Sequence, residues 1–113
     1  MDNEKILALA KFLEIEIEDI EEVYENTYKA DGGEYMVLDD SEANTAFHES
    51  VENYIDECVL SEMPENLRYY FDNEKFERDV LLGDGRGPSL SSYDGAENEE
   101  QINGTYYFIY RTN

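Results

Sequence analysis

Hydrophobic residues recur along this chain with two periods, and the change from one to the other marks out its elements. Ile6, Leu9, Ala10 and Leu13 fall on one face at helical spacing, so a helix is expected to about Leu13, starting after Asp2 or Asn3, either of which offers a capping oxygen. From Leu13 to Ile20 the pattern is ambiguous. Leu13, Ile15 and Ile17 alternate with Glu14, Glu16 and Glu18 as in a half-buried strand, yet the glutamate-rich segment also suits a helix. Irregular structure or a short helix near Glu18 to Val23 is the expectation. Tyr24 to Ala30 and Glu34 to Leu38 read as two strands around Asp31-Gly32-Gly33, where glycine supplies the positive φ of a hairpin turn. The clearest element follows. Asp39, Asp40 and Ser41 offer caps to a helix reaching about Leu60, with an apolar stripe of Ala43, Ala46, Phe47, Val51, Tyr54, Ile55, Cys58 and Val59.

Pro64 suits the first turn of a short helix to about Phe71, with Leu67, Tyr70, Phe71 and Phe76 read as inward-facing. A further helical piece covers about Asn73 to Leu82 and ends in the glycine-rich stretch Gly83 to Gly87. Pro88 to Gln101 reads as an exposed loop with four acids, Asp94, Glu97, Glu99 and Glu100. Thr105 to Arg111, TYYFIYR, is the strongest strand, and its aromatic residues on both faces place it inside a small sheet beside the hairpin. The pattern predicts an α+β fold, with a small antiparallel sheet (the hairpin plus the C-terminal strand) packed with one long and several short helices.

Length and composition bound this picture. One domain is expected over residues 1–113. Eight basic against 29 acidic residues leave a formal charge of −21. Such a charge can signal disorder, but Leu, Ile, Val and Phe make up about 23% of the chain and ten tyrosines add semi-polar core material. A folded domain with a thin core is the reading. The same charge excludes direct binding to nucleic acid or to anionic membranes, both of which call for Lys and Arg. No apolar run approaches the length of a membrane span, and Asp2, Glu4 and Lys11 interrupt any signal-like segment. A single cysteine, Cys58, rules out a disulfide framework and points to a reducing cytoplasm, that of a host cell if the protein is phage-encoded.

No constellation for catalysis is visible, and the expectation is a protein that is not an enzyme and takes no cofactor. His48 and Cys58 lie on one predicted helix ten residues apart, ~15 Å along its axis, out of reach of each other. A helical zinc motif would need a second histidine at position 52, where Glu52 stands, so no metal is assigned. GDGRG, Gly83 to Gly87, lacks the Lys-Ser/Thr of a phosphate loop and reads as a flexible turn. Calcium-loop spacing fails because Ala96 and Arg86 occupy positions that need oxygen ligands.

The charge itself is the remaining candidate for chemistry. A compact domain of this length has a radius of gyration near 13 Å and is ~34 Å across, about 1.6 Å for each net charge, beside ~1.7 Å of axis per charge in duplex DNA. On the long helix Glu42, Glu49 and Asp56 recur every seven residues, with Glu52 and Glu57 alongside, and Glu97, Glu99 and Glu100 form a second group. These eight carboxylates are the expected partner-binding set.

The stretch Pro64 to Leu82, PENLRYYFDNEKFERDVLL, resembles a segment in the C-terminal domain of the ArdA antirestriction family. Pro64, Glu65, Leu67, Tyr70, Asp72, Phe76, Arg78, Asp79 and Leu81 carry the resemblance, after the tyrosine-containing helix end Tyr54 to Leu60. YMVLDDSEA (Tyr35 to Ala43), SSYDGAENE (Ser91 to Glu99) and FIYRTN (Phe108 to Asn113) are similar to segments of small acidic phage proteins. ArdA-like proteins are elongated acidic dimers that imitate bent DNA and block restriction enzymes. The resemblance thus implies a phage or mobile-element origin, leaves room for a homodimer, and makes the expected partner a basic nucleic-acid-binding protein or host defence complex, of the restriction or CRISPR kind. The alternative is an acidic adaptor or assembly protein that binds through its aromatic strand edge or hairpin.

Overall fold

A computed structural model describes residues 3–113 and has an α+β fold. Helix α1 (Asn3–Leu13) leads through a 3-10 turn (Ile17–Asp19) into three strands, β1 (Glu21–Tyr24), β2 (Thr27–Ala30) and β3 (Gly33–Asp39). Helix α2 (Asp40–Tyr54) continues as a π turn (Ile55–Val59) and a 3-10 turn (Leu60–Glu62). Helices α3 (Glu65–Arg68), α4 (Asn73–Asp84) and α5 (Gly87–Leu90) precede the closing hairpin of β4 (Asn98–Ile102) and β5 (Thr105–Arg111). The five strands form one antiparallel sheet in the order β1-β2-β3-β5-β4. The aromatic strand β5 lies inside it, between β3 and β4, as its two-faced hydrophobicity predicts.

Strand alternation divides the core into two layers. One sheet face, with Tyr28, Ala30, Tyr35, Val37, Tyr107 and Ile109, packs against Ala8 and Leu9 of α1. The other, with Leu38, Phe108 and Tyr110, packs against Ala43 of α2. The distal half of α2 runs on past the sheet, and its buried Phe47, Val51 and Ile55 are covered by Phe71, Phe76, Val80 and Leu90. The molecule measures 55 × 27 × 24 Å, with a radius of gyration of 16.4 Å. It is therefore longer than a compact body of this chain length.

Several expectations are corrected. Tyr24 to Ala30 is two strands, because Asn26 takes φ 62° and turns the chain between Tyr24 and its partner Thr27. The short helix expected near Glu18 to Val23 is a single 3-10 turn followed by β1, an edge strand with every residue exposed. Pro88 to Gln101 is a loop only at its centre, residues 91–97: its ends belong to α5 and β4. The polar segment Asn98–Ile102 becomes a strand because β5 offers it an unpaired ladder edge and Asn103-Gly104, at φ 51° and 84°, closes a two-residue turn between Ile102 and Thr105. The Asn-Gly pair was the signal for this hairpin.

The long helix keeps its span but changes geometry after Tyr54, so Cys58 turns outward and is exposed rather than part of the stripe. Leu67 and Tyr70 are exposed as well, because α3 is only one turn long and presents a single side, leaving Phe71 and Phe76 to cover α2. The expected cap at Asp2 or Asn3 lies outside the described residues and side chains. No helix among the described residues is long and apolar enough to cross a membrane.

Candidate functional site

The acidic face is organised from α2 outward. Asp39 caps the helix by accepting from the Glu42 backbone N–H at 2.8 Å, and the Glu42 carboxylate accepts from the Asp39 N–H at 3.0 Å, a reciprocal capping box. Ala43, Phe47, Val51 and Ile55 are drawn inward, which turns Glu49, Asn53, Asp56 and Glu57 to solvent. The π turn has more residues per turn than an α-helix, so Asp56 and Glu57 leave the straight heptad line drawn from Glu49.

The eight expected carboxylates therefore have unlike surroundings. Glu49, Asp56, Glu57 and Glu99 are exposed. Glu42 is committed to the fold: besides closing the capping box it pairs with the buried Lys5 ammonium at 2.7 Å. Burial acts to raise its pKa, but the Asp39 N–H and Lys5 outweigh burial and hold the carboxyl below its ordinary value. Glu97 is also internal in role. It accepts from Arg86 Nε at 2.7 Å and from the Tyr110 hydroxyl, whose pKa is pushed far up by burial and by that carboxylate. Glu52 is half-buried and accepts from Asn73 Nδ2 at 3.2 Å. Glu99 and Glu100 are neighbours in β4 and so point to opposite sheet faces. Glu99 lies across from Phe108 on the α2 side, whereas Glu100 lies across from Tyr107 and reaches Lys11 of α1 at 3.6 Å. The second group thus divides between two faces.

A denser acidic surface lies elsewhere. Seven of the twelve positions from Glu14 to Glu25 are acidic, and all seven side chains, Glu14, Glu16, Glu18, Asp19, Glu21, Glu22 and Glu25, are exposed along the 3-10 turn and the free edge of β1. The signal was plain in the sequence, where its alternation with apolar residues was read for secondary structure alone.

Basic residues are partly withdrawn from the surface. Lys5 is buried, and so is Arg86. The Arg86 guanidinium donates to Glu97, to Asp40 Oδ1 at 3.1 Å and to Asn44 Oδ1 at 2.8 Å, and sits 4.5 Å from the centroid of the Phe108 ring. Burial is the largest single influence and opposes its charge, but the hydrogen bond and charge of Glu97, with Tyr110 and Asp40, together outweigh it and raise the pKa. The glycine-rich segment read as a flexible turn is therefore the mount for a buried cation. Gly85 provides φ 73° at the end of α4, and a Cβ on Gly87 would stand 2.3 Å from the Gly95 carbonyl oxygen.

His48 Nδ1 faces Glu77 at 2.9 Å, not Cys58. A cavity of about 510 Å³ between α2, α4 and α5 is lined by Ser50, Val51, Tyr54, Phe76, Val80 and Asp84 with Pro88 and Ser89. Its hydroxyl Ser50 Oγ donates to the Ser89 carbonyl at 3.4 Å, with no base beside it. Asp94 accepts from the Ala96 N–H at 3.0 Å and from Ser91 Oγ at 2.8 Å, so it braces its own turn. Comparison with protein-family models, curated proteins and solved structures gives no match.

Proposed function

We propose that this protein is a non-enzymatic decoy for nucleic acid, which occupies the positively charged nucleic-acid-binding groove of a host defence complex of the restriction or CRISPR kind. The observation that carries this reading is the coincidence of shape and charge: a body 55 Å long carries a net charge of −21. That length spans ~16 base pairs of duplex, which would bear ~32 phosphates. Dividing 55 Å by 21 charges leaves about 2.6 Å per charge, about two-thirds of the duplex density and lower than a compact body would give. The decoy thus offers phosphate-like charge over a DNA-like length. A net charge of this size opposes the compact state that carries it, which a function using the charge would account for.

The carboxylates assigned to contact are Glu49, Asp56, Glu57 and Glu99, joined by the run Glu14 to Glu25. Glu42 and Glu97 support the fold behind them. The resemblance of Pro64 to Leu82 to the ArdA family is part of the same proposal, since an elongated acidic body is what that resemblance implies.

Capture of partners from a bacterial lysate, followed by elution with either salt or duplex DNA, tests the reading. Association should weaken steeply with salt, and the combined change Glu49→Gln, Asp56→Asn, Glu57→Gln should release the partner. A complex that survives saturating duplex DNA would exclude charge mimicry.

One observation favours a second reading. The edge strand β1 is exposed throughout, including Val23 and Tyr24, and it leaves a ladder edge free for a partner's strand. An adaptor acting there would keep its partner in the charge-neutralised triple variant and lose it in Val23→Pro.

A further inference from the structure

The sequence offers one histidine, and the fold brings two carboxylates to it from places the sequence does not connect. His48 and Glu52 lie four residues apart on α2, hence on the same side of the helix, and Glu77 reaches across from α4. One donor atom of each of the three lies within 4.8 Å of the others. His48 Nδ1 stands 3.0 Å and 2.9 Å from the two Glu77 oxygens. Ligands held about 2.0 to 2.2 Å from a tetrahedral zinc ion are ~3.3 to 3.6 Å apart. The imidazole and the Glu77 carboxylate need to part by only a few tenths of an ångström to admit one.

Electrostatics argues for the same occupant. Glu77 and Glu52 are half-buried, and among the described residues neither forms an ion pair with a Lys or Arg. Asn73 Nδ2 donates to one oxygen of Glu52 and leaves the other available. The imidazole is thus the sole counter-group for two carboxylates, inside a chain whose overall field concentrates cations. A neutral imidazole cannot compensate them, whereas a divalent ion can.

We propose that His48 Nδ1, Glu52 and Glu77 form a three-ligand site for a borderline first-row divalent cation such as Zn²⁺, with water completing the coordination shell. The mixed nitrogen and oxygen set separates this site from the surrounding acids. Imidazole favours zinc, copper or nickel, whereas calcium and magnesium prefer oxygen alone. An ion here would join α2 to α4, a helix with no fully buried residue. The sequence spacing alone missed the site because its third ligand comes from a different helix. The proposal is independent of the decoy reading, and its test involves no partner.

Zn²⁺ is added to untagged protein carrying Cys58→Ser, at physiological salt and in excess Mg²⁺ to occupy diffuse carboxylate sites. Because His48 is the one histidine, its ring resonances report directly on coordination. They should shift with saturation at one ion per chain, and the melting temperature should rise. His48→Ala and Glu77→Gln should each weaken binding by at least about tenfold, whereas Glu62→Gln, an exposed acid outside the set, should leave it unchanged. Imidazole resonances that do not move, or equal Zn²⁺ affinity in His48→Ala and the parent, would overturn the proposal. Both variants alter partly exposed side chains, and circular dichroism establishes that each is folded.

Discussion

Arg86 shows how much a single residue carries in a thin core. Its guanidinium is the counter-charge for Glu97 and Asp40, the hydrogen-bond partner of Asn44 and the roof of the Phe108 ring. Its carboxylate partners keep contact with solvent, so losing the guanidinium costs about 2 kcal/mol, less than breaking a fully buried pair. Arg86→Met should therefore lower the unfolding free energy in urea by about that amount, whereas Arg68→Ala, on an exposed turn, should change it by less than ~0.5 kcal/mol. Equal effects would mean that the Arg86 network is ornamental to stability. The same residue explains why a glycine-rich stretch was misread. Gly85 and Gly87 permit a left-handed turn and a close backbone approach, and composition alone does not distinguish that use from flexibility.

At the scale of elements, α4 is a lightly held join. It has no fully buried residue and is held to α2 by Phe76 and Val80 and by the His48–Glu77 contact. The hydrogen bond and charge of Glu77, with Glu52 and Glu49 adding to them, raise the His48 pKa above its ordinary 6.5. A histidine raised in the folded state contributes stability that is complete below the unfolded value and is lost as pH rises through the folded one. In the presence of a chelator, amide-exchange protection of α4, corrected for intrinsic rates, should therefore fall as pH climbs above 6.5 through that raised value. The profile of His48→Ala should lack this step. A step that persists in the variant would assign the pH dependence to other groups.

For the whole molecule the dominant quantity is the net charge of −21 spread over 55 Å. Self-repulsion opposes folding and is screened within about 10 Å at moderate ionic strength. Sodium chloride should thus raise the melting temperature, on the order of 5 °C and equivalent to ~1 kcal/mol for a domain of this size. A melting temperature that is flat or falls with salt would show that ion pairs such as Lys5–Glu42 outweigh the repulsion. The elongation also revises the charge density. A sphere of this chain length matches the duplex closely, whereas the real body, extended by α2, α3 and α4 beyond the sheet, falls to about two-thirds of it.

Short-range physics was legible in the sequence. Periodicity placed α1, most of α2 and α4, glycine placed the β2–β3 turn, and two-faced hydrophobicity put β5 inside the sheet, because each depends on residues a few positions apart. The net charge follows from composition and needs no fold. Tertiary structure alone decided the rest. Glu42 and Glu97 are tied to the fold because Lys5 and Arg86 are buried next to them, and His48 meets Glu77 because α4 packs along α2. The Lys5–Glu42, His48–Glu77 and Arg86–Glu97 contacts join positions 11 to 37 residues apart, and no local pattern encodes which carboxylate a buried cation will claim. The sequence by itself determined how much negative charge the protein carries, and only the packing determined which carboxylates remain free to use it.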